Sequence, residues 1–320
     1  MSAGAAHAAP ASDGKTWTDP AAATREDPDF TIQGEYGSLK PGAAWGVQVV
    51  ALGGGSFDAY LLQDGLPGLG WTRGKTRTQV PGKRGNGKVE FESADKSIHA
   101  TIANGAFVFT GKDGKKTTLP RIERKSPTLG APPAKNAVVL FDGKSADAWQ
   151  NGKVENGLLI ATGETTKQLF KSYHLHLEFR TPYKPFARGQ RRGNSGVYHS
   201  GRWETQVLDS FGLTGEENET GGIYSIARPI LNMCLPPLAW QTYDVDFTAA
   251  KFDAAGKRSA WPRITVKLNG VTVQDNVELN KDCTTSAPIH TPLTSPEGPI
   301  HLQYHNNPVV YRNIWIVPGK

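Results

Sequence analysis

The segment Arg191–Gly212, RRGNSGVYHSGRWETQVLDSFG, sets two carboxylates, two amides, a histidine and a tryptophan around two glycine breaks. Side chains alternate across a pleated strand, so Arg202, Glu204, Gln206 and Leu208 point to one side and Trp203, Thr205, Val207 and Asp209 to the other. One face is therefore polar where a buried sheet is apolar. The segment IHLQYH repeats the pattern, with His301, Gln303 and His305 opposite Leu302 and Tyr304. Asn194, Ser195, Glu204, Gln206 and Asp209 from the first stretch, and His301, Gln303, His305, Asn307, Arg312 and Asn313 from the C-terminal one, are the candidates for chemistry. Two strands that are polar on one face suggest a concave binding surface. A solvent-facing antiparallel strand would give the same local pattern, so the remainder of the chain has to discriminate.

Several chemistries have no sequence support. There is no phosphate loop, no H-E-x-x-H and no G-x-S-x-G, and the glycines of ALGGGSF belong to a hairpin. The net charge of +6 is small for 320 residues. It is spread over Arg73–Lys88, Lys112–Lys116, Arg121–Lys125 and Arg188–Arg192, which reads as a solvated basic surface and not a nucleic-acid partner face. No apolar run reaches the roughly 20 residues that span a bilayer, so no integral membrane segment is expected. Cys234 and Cys283 lack metal-type spacing and read as two buried thiols or one disulfide. The first residues, MSAGAAHAAPASDGK, resemble the small-residue surroundings of a signal-peptidase site without an apolar core. Export to the periplasm or cell exterior is the expectation; an alanine-rich tail is the alternative.

The elements that must position the candidates are short strands. With 36 Gly and 22 Pro the composition is that of a turn-rich protein, and no amphipathic helix of more than about ten residues is apparent. Residues 1–27 read as a flexible lead. From 28 to 124, GVQVVALGGGSFDAYLL and HATIANGAFVFTGKDGKKTTL read as hairpins turned at Gly53-Gly54-Gly55, Asn104-Gly105 and Asp113-Gly114, giving a small antiparallel β domain. Residues 125–135, KSPTLGAPPAK, form a Pro-rich linker. From 136 to 320 strand follows strand, with period-two alternation clearest in Tyr173–Arg180 and around the Asn269-Gly270 turn. The expectation is all-β, a jelly-roll sandwich preceded by a smaller antiparallel domain.

Six ordered motifs, LFDGKSADAW, GNSGVYHSGRWETQVLDS, GGIYSIARP, WQTYDVDF, VKLNGVTVQDN and IHLQYHNNPVVYRNIWI, together resemble the bacterial 3-keto-disaccharide hydrolase family, a concanavalin-like jelly roll. The resemblance spans Ala137–Pro318. It departs from the family pattern at His199, at Ala227–Leu238 and at the insert SPEGP, where substrate-defining loops would lie. The N-terminal β domain looks like one that precedes this module in some longer members. The resemblance implies action on glycosides oxidised at C3, a carbohydrate substrate cleaved by elimination and rehydration or by net hydrolysis. A ketone at C3 acidifies the C2 hydrogen, so a carboxylate or imidazole can remove it while the glycosidic oxygen leaves from C1. On this reading Glu204 and His305 are base and acid in either order, and Arg312 or a bound divalent metal ion stabilises charge. Asn194, Ser195, Gln206, Gln303 and Asn307 hold the substrate.

Each residue also has a plainer role. Glu204 could pair with Arg202 or Arg312, His305 could be a turn residue before Asn306-Asn307-Pro308, Asp209 could cap a turn, and Trp203 and Trp315 could be core instead of sugar platforms. A noncatalytic carbohydrate-binding jelly roll and a cell-surface interaction module are the competing functions. The oligomeric state is open.

Overall fold

The computed structural model describes residues 14–111 and 114–319. The first thirteen residues of the expected lead, and Asp113 of one expected turn, lie outside that range. Residues 14–33, part of the lead and the domain start, carry two short helices. Asp19 caps α1 (Pro20–Glu26) by accepting from the Ala22 N–H, and Asp27 caps α2 (Pro28–Ile32) by accepting from the Asp29 N–H. Proline opens both helices, where its missing N–H would have no partner anyway.

The small β domain is a closed antiparallel barrel. Its strands are β1 (Gly34–Tyr36), β2 (Trp45–Gly53), β3 (Ser56–Gln63), β4 (Arg77–Gly85), β5 (Lys88–Glu92), β6 (His99–Ala103), β7 (Ala106–Thr110) and β8 (Lys116–Ile122), with β8 pairing back onto β1. Alternation fills the interior with Val47, Val49, Phe57, Ala59, Leu61, Val80, Val89, Phe91, Phe107 and Phe109, all buried. Closure removes the free edges that would otherwise pair with other chains.

Apart from a two-stranded ribbon, Lys251–Phe252 with Arg258–Ala260, the remaining strands form two antiparallel sheets packed face to face. One has five strands in the order Trp149–Gln150, Thr165–Thr166, His301–Leu302, Ser195–His199, Trp203–Val207. The other is built around Val310–Pro318, Tyr173–Arg180, Gln241–Thr248, Arg263–Leu268 and Val271–Glu278. The core between them holds Trp203, Val197 and Val207 against Tyr173, Leu175, Phe179, Tyr243 and Phe247. His199, singled out in the sequence, is sealed into it, with Nδ1 2.9 Å from the Tyr173 hydroxyl and Nε2 2.9 Å from Thr205 Oγ1. Burial pushes its pKa down to about 3, so it is neutral. Only His301–Leu302 of IHLQYH is strand. The Gln303 N–H still reaches the Gly196 carbonyl at 2.9 Å, but beyond it Tyr304 turns out to solvent instead of following Leu302 inward.

The barrel is fastened to the sandwich. Val50, Tyr60, Leu62, Leu66 and Trp71 of the barrel merge with the sandwich core. Polar ties are made by arginines to backbone carbonyls: Arg77 to Gly212 at 2.6 Å, Arg188 to Leu52 at 2.9 Å and Arg192 to Ala51 at 3.2 Å. Arg192 is also paired through Nε with the buried Asp209 at 2.6 Å. Asp209 is thus the partner of a buried cation as well as an acceptor for the Phe211 N–H. Cys234 is buried and Cys283 half-buried, and both are free thiols.

The Pro-rich linker lies against the outer face of the larger sheet. Thr128 Oγ1 donates to Asp244 at 2.7 Å, the Gly130 N–H donates to Glu178, and the Asn313 amide and Trp315 indole donate to the Ala131 carbonyl. Underneath, His176 stacks on Trp315 and sits 2.6 Å from Asp244. Burial works against charge on Glu178, but hydrogen bonds from His176, Asn313, the Gly130 amide and Arg312 outweigh it and hold its pKa at about 2, below the usual 4.5. A carboxyl with a depressed pKa contributes stability that is present above about 4.5 and lost as pH falls toward about 2. Urea midpoints measured down that range are expected to fall less steeply for Glu178→Gln than for the native chain, with the variant already weaker at neutral pH. Parallel slopes would remove Glu178 from the acid limb.

Candidate functional site

The outer face of the five-stranded sheet carries the polar residues. Tyr198 pairs with Glu204 and Gly196 with Gln206 across the two strands. With Ser195, Val197 and His199 turned inward, Gly196, Tyr198, Glu204 and Gln206 face out, and three loops fold over them. Glu204, Gln206, Asn194, Gln303 and His305 line one small cavity of about 70 Å³ with Gln190, Tyr224, Thr285 and Ser286. It has roughly the space of two or three waters.

Glu204 sits at the bottom. Its Oε2 accepts from the Tyr198 hydroxyl at 2.9 Å, and the same hydroxyl lies 3.0 Å from the Gln303 amide nitrogen and 3.0 Å from the Thr285 carbonyl. Glu204 Oε1 has no hydrogen-bond partner among the described residues. Burial raises the Glu204 pKa from 4.5 to about 8, and the Tyr198 hydrogen bond only partly opposes this. A carboxyl in so dry a place is held neutral at pH 7 because water no longer solvates its charge.

The amides are organised by Gln190, on the loop that follows Arg188. Its Oε1 accepts from Asn194 at 2.9 Å and from Gln206 at 3.1 Å. Gln206 Oε1 in turn accepts from the Val207 N–H. This leaves Asn194 Oδ1 and Gln303 Oε1 buried without a partner among the described residues. Each such acceptor costs about 1–3 kcal/mol when unpaired. A ligand presenting hydroxyl donors relieves that cost, which is the behaviour of a binding site. His305 is exposed at the rim, its ring free of hydrogen bonds to described residues, and Tyr224 adds a half-buried ring to the wall.

Three other candidates are placed elsewhere. Ser195 faces the core, where its hydroxyl donates to the Gln303 carbonyl and meets the Tyr311 hydroxyl, each at 2.7 Å; it buttresses the Gln303 loop from behind. Asn307 is buried between Lys184, which donates to its Oδ1 at 2.8 Å, and the Gly193 N–H. Arg312 belongs to the larger sheet: Tyr311 takes the inward direction, so Arg312 points to the opposite outer face. There it pairs with its cross-strand neighbour Glu178 at 2.6 Å and lies 3.9 Å above the Trp240 ring. It is therefore not in the cavity, and Glu204 pairs with neither Arg202 nor Arg312. Trp203 is core, and Trp315 is covered by the linker.

No group of three or more His, Cys, Asp or Glu side chains among the described residues is arranged to hold a metal ion. Glu204 is the cavity's single carboxylate, accompanied only by amides, hydroxyls and one rim imidazole. That donor set does not fit a divalent metal ion stabilising charge in the cavity.

Sequence reasoning missed Gln190, Tyr198 and Gly196. A Cβ added at Gly196 would lie 2.1 Å from Glu204 Oε1 and 2.8 Å from its Cδ. The glycine that reads as a break in the sequence is the bed on which the Glu204 carboxyl rests. Tyr198 was legible in principle, since its alternation places it on the Glu204 face.

Residues 136–317 match the family model described as the 3-keto-alpha-glucoside-1,2-lyase-like domain. A crystal structure of a candidate glycosyl hydrolase from Parabacteroides distasonis resembles the chain at 34% identity and a TM-score of 0.52, over 58% of this chain and 84% of that one. A second structure of the same description and organism aligns at 17% identity and a TM-score of 0.44, over 58% of this chain and 95% of that one. No curated protein matches the chain.

Because the Tyr198 hydroxyl stabilises the charged form of Glu204, its removal raises the Glu204 pKa further. Carboxyl-carbon NMR titration of ¹³C-glutamate-labelled protein is expected to show, besides Glu164 raised to about 7 by burial, a side chain titrating near 8 that moves upward in Tyr198→Phe and vanishes in Glu204→Gln. A Glu204 midpoint near 4.5 would show that the carboxyl is solvated.

Proposed function

Since the chain belongs to the family of 3-keto-alpha-glucoside-1,2-lyase-like domains, we propose that it is a glycoside-cleaving enzyme acting on sugars that carry a ketone at C3. The observation that carries this reading is a desolvated, neutral Glu204 sharing a cavity with an imidazole and with two amide oxygens that lack donors. The ketone makes the C2 hydrogen acidic. His305 at the rim removes it, the electron pair forms the C1=C2 bond, and the C1–O bond breaks as Glu204 hands its proton to the departing oxygen. Water then adds hydroxide to C1, a proton returns to C2, and the free 3-keto sugar results. The elevated pKa suits Glu204 to the donor role, as with other acids kept neutral by a dry pocket. On this reading Asn194 and Gln303 accept hydrogen bonds from ring hydroxyls, and Tyr224 and Ser286, which also line the cavity, donate toward the developing C3 oxyanion.

A noncatalytic sugar-binding sandwich would use the same amides but would gain nothing from a protonated carboxyl. Incubation with a 3-keto-glucoside, followed by detection of free 3-keto-glucose and the ultraviolet-absorbing enone, separates the two. Glu204→Gln keeps the shape and is expected to lower turnover about 10²- to 10⁴-fold, as is His305→Ala. Unchanged turnover in both would refute the assignment. The native kcat/KM is expected to decline as pH rises through about 8, because the donor loses its proton; a rise through that value would exchange the two roles.

Gly196→Ala supplies an independent check. The backbone there is ordinary, so the variant can still fold, but the added Cβ meets Oε1, Cδ and Cγ of the buried Glu204, and the carboxyl is pushed off its seat. Turnover is expected to drop at least tenfold. Full activity in this variant would mean that the carboxyl position is not critical.

A further inference from the structure

The N-terminal barrel holds a cavity that the glycoside reading leaves unused. Closed eight-stranded barrels are just wide enough to be filled by their own side chains or to hold one small ligand, and this barrel does both at different heights. Midway along, Val47, Val49, Phe57, Ala59, Val80, Phe91 and Phe107 fill the interior. Toward the end where β2 and β8 begin and β3 and β7 finish, the inward positions change character. Thr78 stands opposite Leu61, and Thr117 opposite Phe109, with Ala43 and Ala44 leading into β2. Small side chains there leave a cup of about 780 Å³.

Its floor and walls are Leu61, Phe109 and Leu119, all buried, with Ile98 and Trp45 half-buried. Trp45 stands edge-on to Phe109 with ring centroids 5.6 Å apart. Thr76, Thr78 and Thr117 are the neutral polar residues of the wall, and Lys115 is its one charged residue. Every lining residue comes from the barrel, so the cup is separate from the cavity around Glu204. Ligand sites in proteins share this make-up, concave and mostly apolar with a few hydroxyls, at volumes of about 300–1,000 Å³.

We propose that the barrel cup is a binding site for one small, uncharged, ring-bearing apolar molecule, with its ring against Trp45 and Phe109 and any hydroxyl toward the threonines. Burial of the ring against this floor supplies the affinity, and the threonine hydroxyls orient the polar end.

Fluorescence titration of the full chain with N-phenyl-1-naphthylamine tests the proposal. Saturable binding with one site per chain is expected, with energy transfer from tryptophan that weakens in Trp45→Phe. Thr78→Trp and Thr117→Trp fill the cup and should each weaken binding at least tenfold. Thr118→Trp, the exposed neighbour pointing away from the interior, should leave binding unchanged, and circular dichroism establishes which variants retain the fold. Absence of saturable binding, binding that survives both filled variants, or equal loss in Thr118→Trp would overturn the proposal. So would a concentration-dependent dimer that the filled variants dissociate, since the cup would then receive a second copy of the chain.

Discussion

Two paired strands, Ser195–His199 and Trp203–Val207, have to serve a core and a pocket at once, and the strict alternation of side chains makes this possible. Trp203, Thr205 and Val207 lock the two sheets together, while Glu204 and Gln206, one residue removed, face the cavity. A slip of one residue in the register would exchange the two sets. The register is held on both sides: inside by His199 between Tyr173 and Thr205, and outside by Tyr198 opposite Glu204.

From this arrangement follows the chemistry of the site. A carboxyl on a sheet face is normally solvated and acidic. Here the loops bearing Gln190, Tyr224 and Thr285 exclude water from it, and burial outweighs the hydrogen bond from Tyr198. The absence of a side chain at Gly196 lets the carboxyl lie flat against the strand. Desolvation is thus a property of three loops and one glycine acting together, and the same enclosure leaves the oxygens of Asn194 and Gln303 without a partner among the described residues.

The loop carrying Gln190 and Asn194 is held from the far side by the barrel. Arg188 and Arg192, which flank Gln190, donate to the Leu52 and Ala51 carbonyls, and Arg192 is neutralised by Asp209. Breaking one partner of such a buried pair commonly costs about 3–5 kcal/mol. The basic run at Arg188–Arg192 therefore has an internal role that its charge alone does not announce. The barrel and the sandwich share apolar surface as well, so the first domain is part of the frame of the site.

The sequence by itself determined most of the strands, though not the two short helices of residues 20–32 or the end of the IHLQYH strand at Leu302. Turn residues such as Gly53-Gly54-Gly55 and Asn104-Gly105, together with period-two alternation, specified antiparallel strands, because these signals are local. The same alternation put Glu204 and Gln206 on one face, and six ordered motifs carried the family likeness. What lay beyond local pattern was decided by the tertiary structure. Closure of the first sheet into a barrel depends on β1 meeting β8, residues far apart in the chain. Arg312 looked like a neighbour of His305 because only a few residues separate them, but the chain crosses from one sheet to the other between them, and the arginine emerges on the opposite face beside Glu178. The roles of Gly196 and Gln190 are likewise invisible in one dimension: the first consists of space left for another residue's carboxyl, and the second of hydrogen bonds that exist only once the loop has been folded over the sheet.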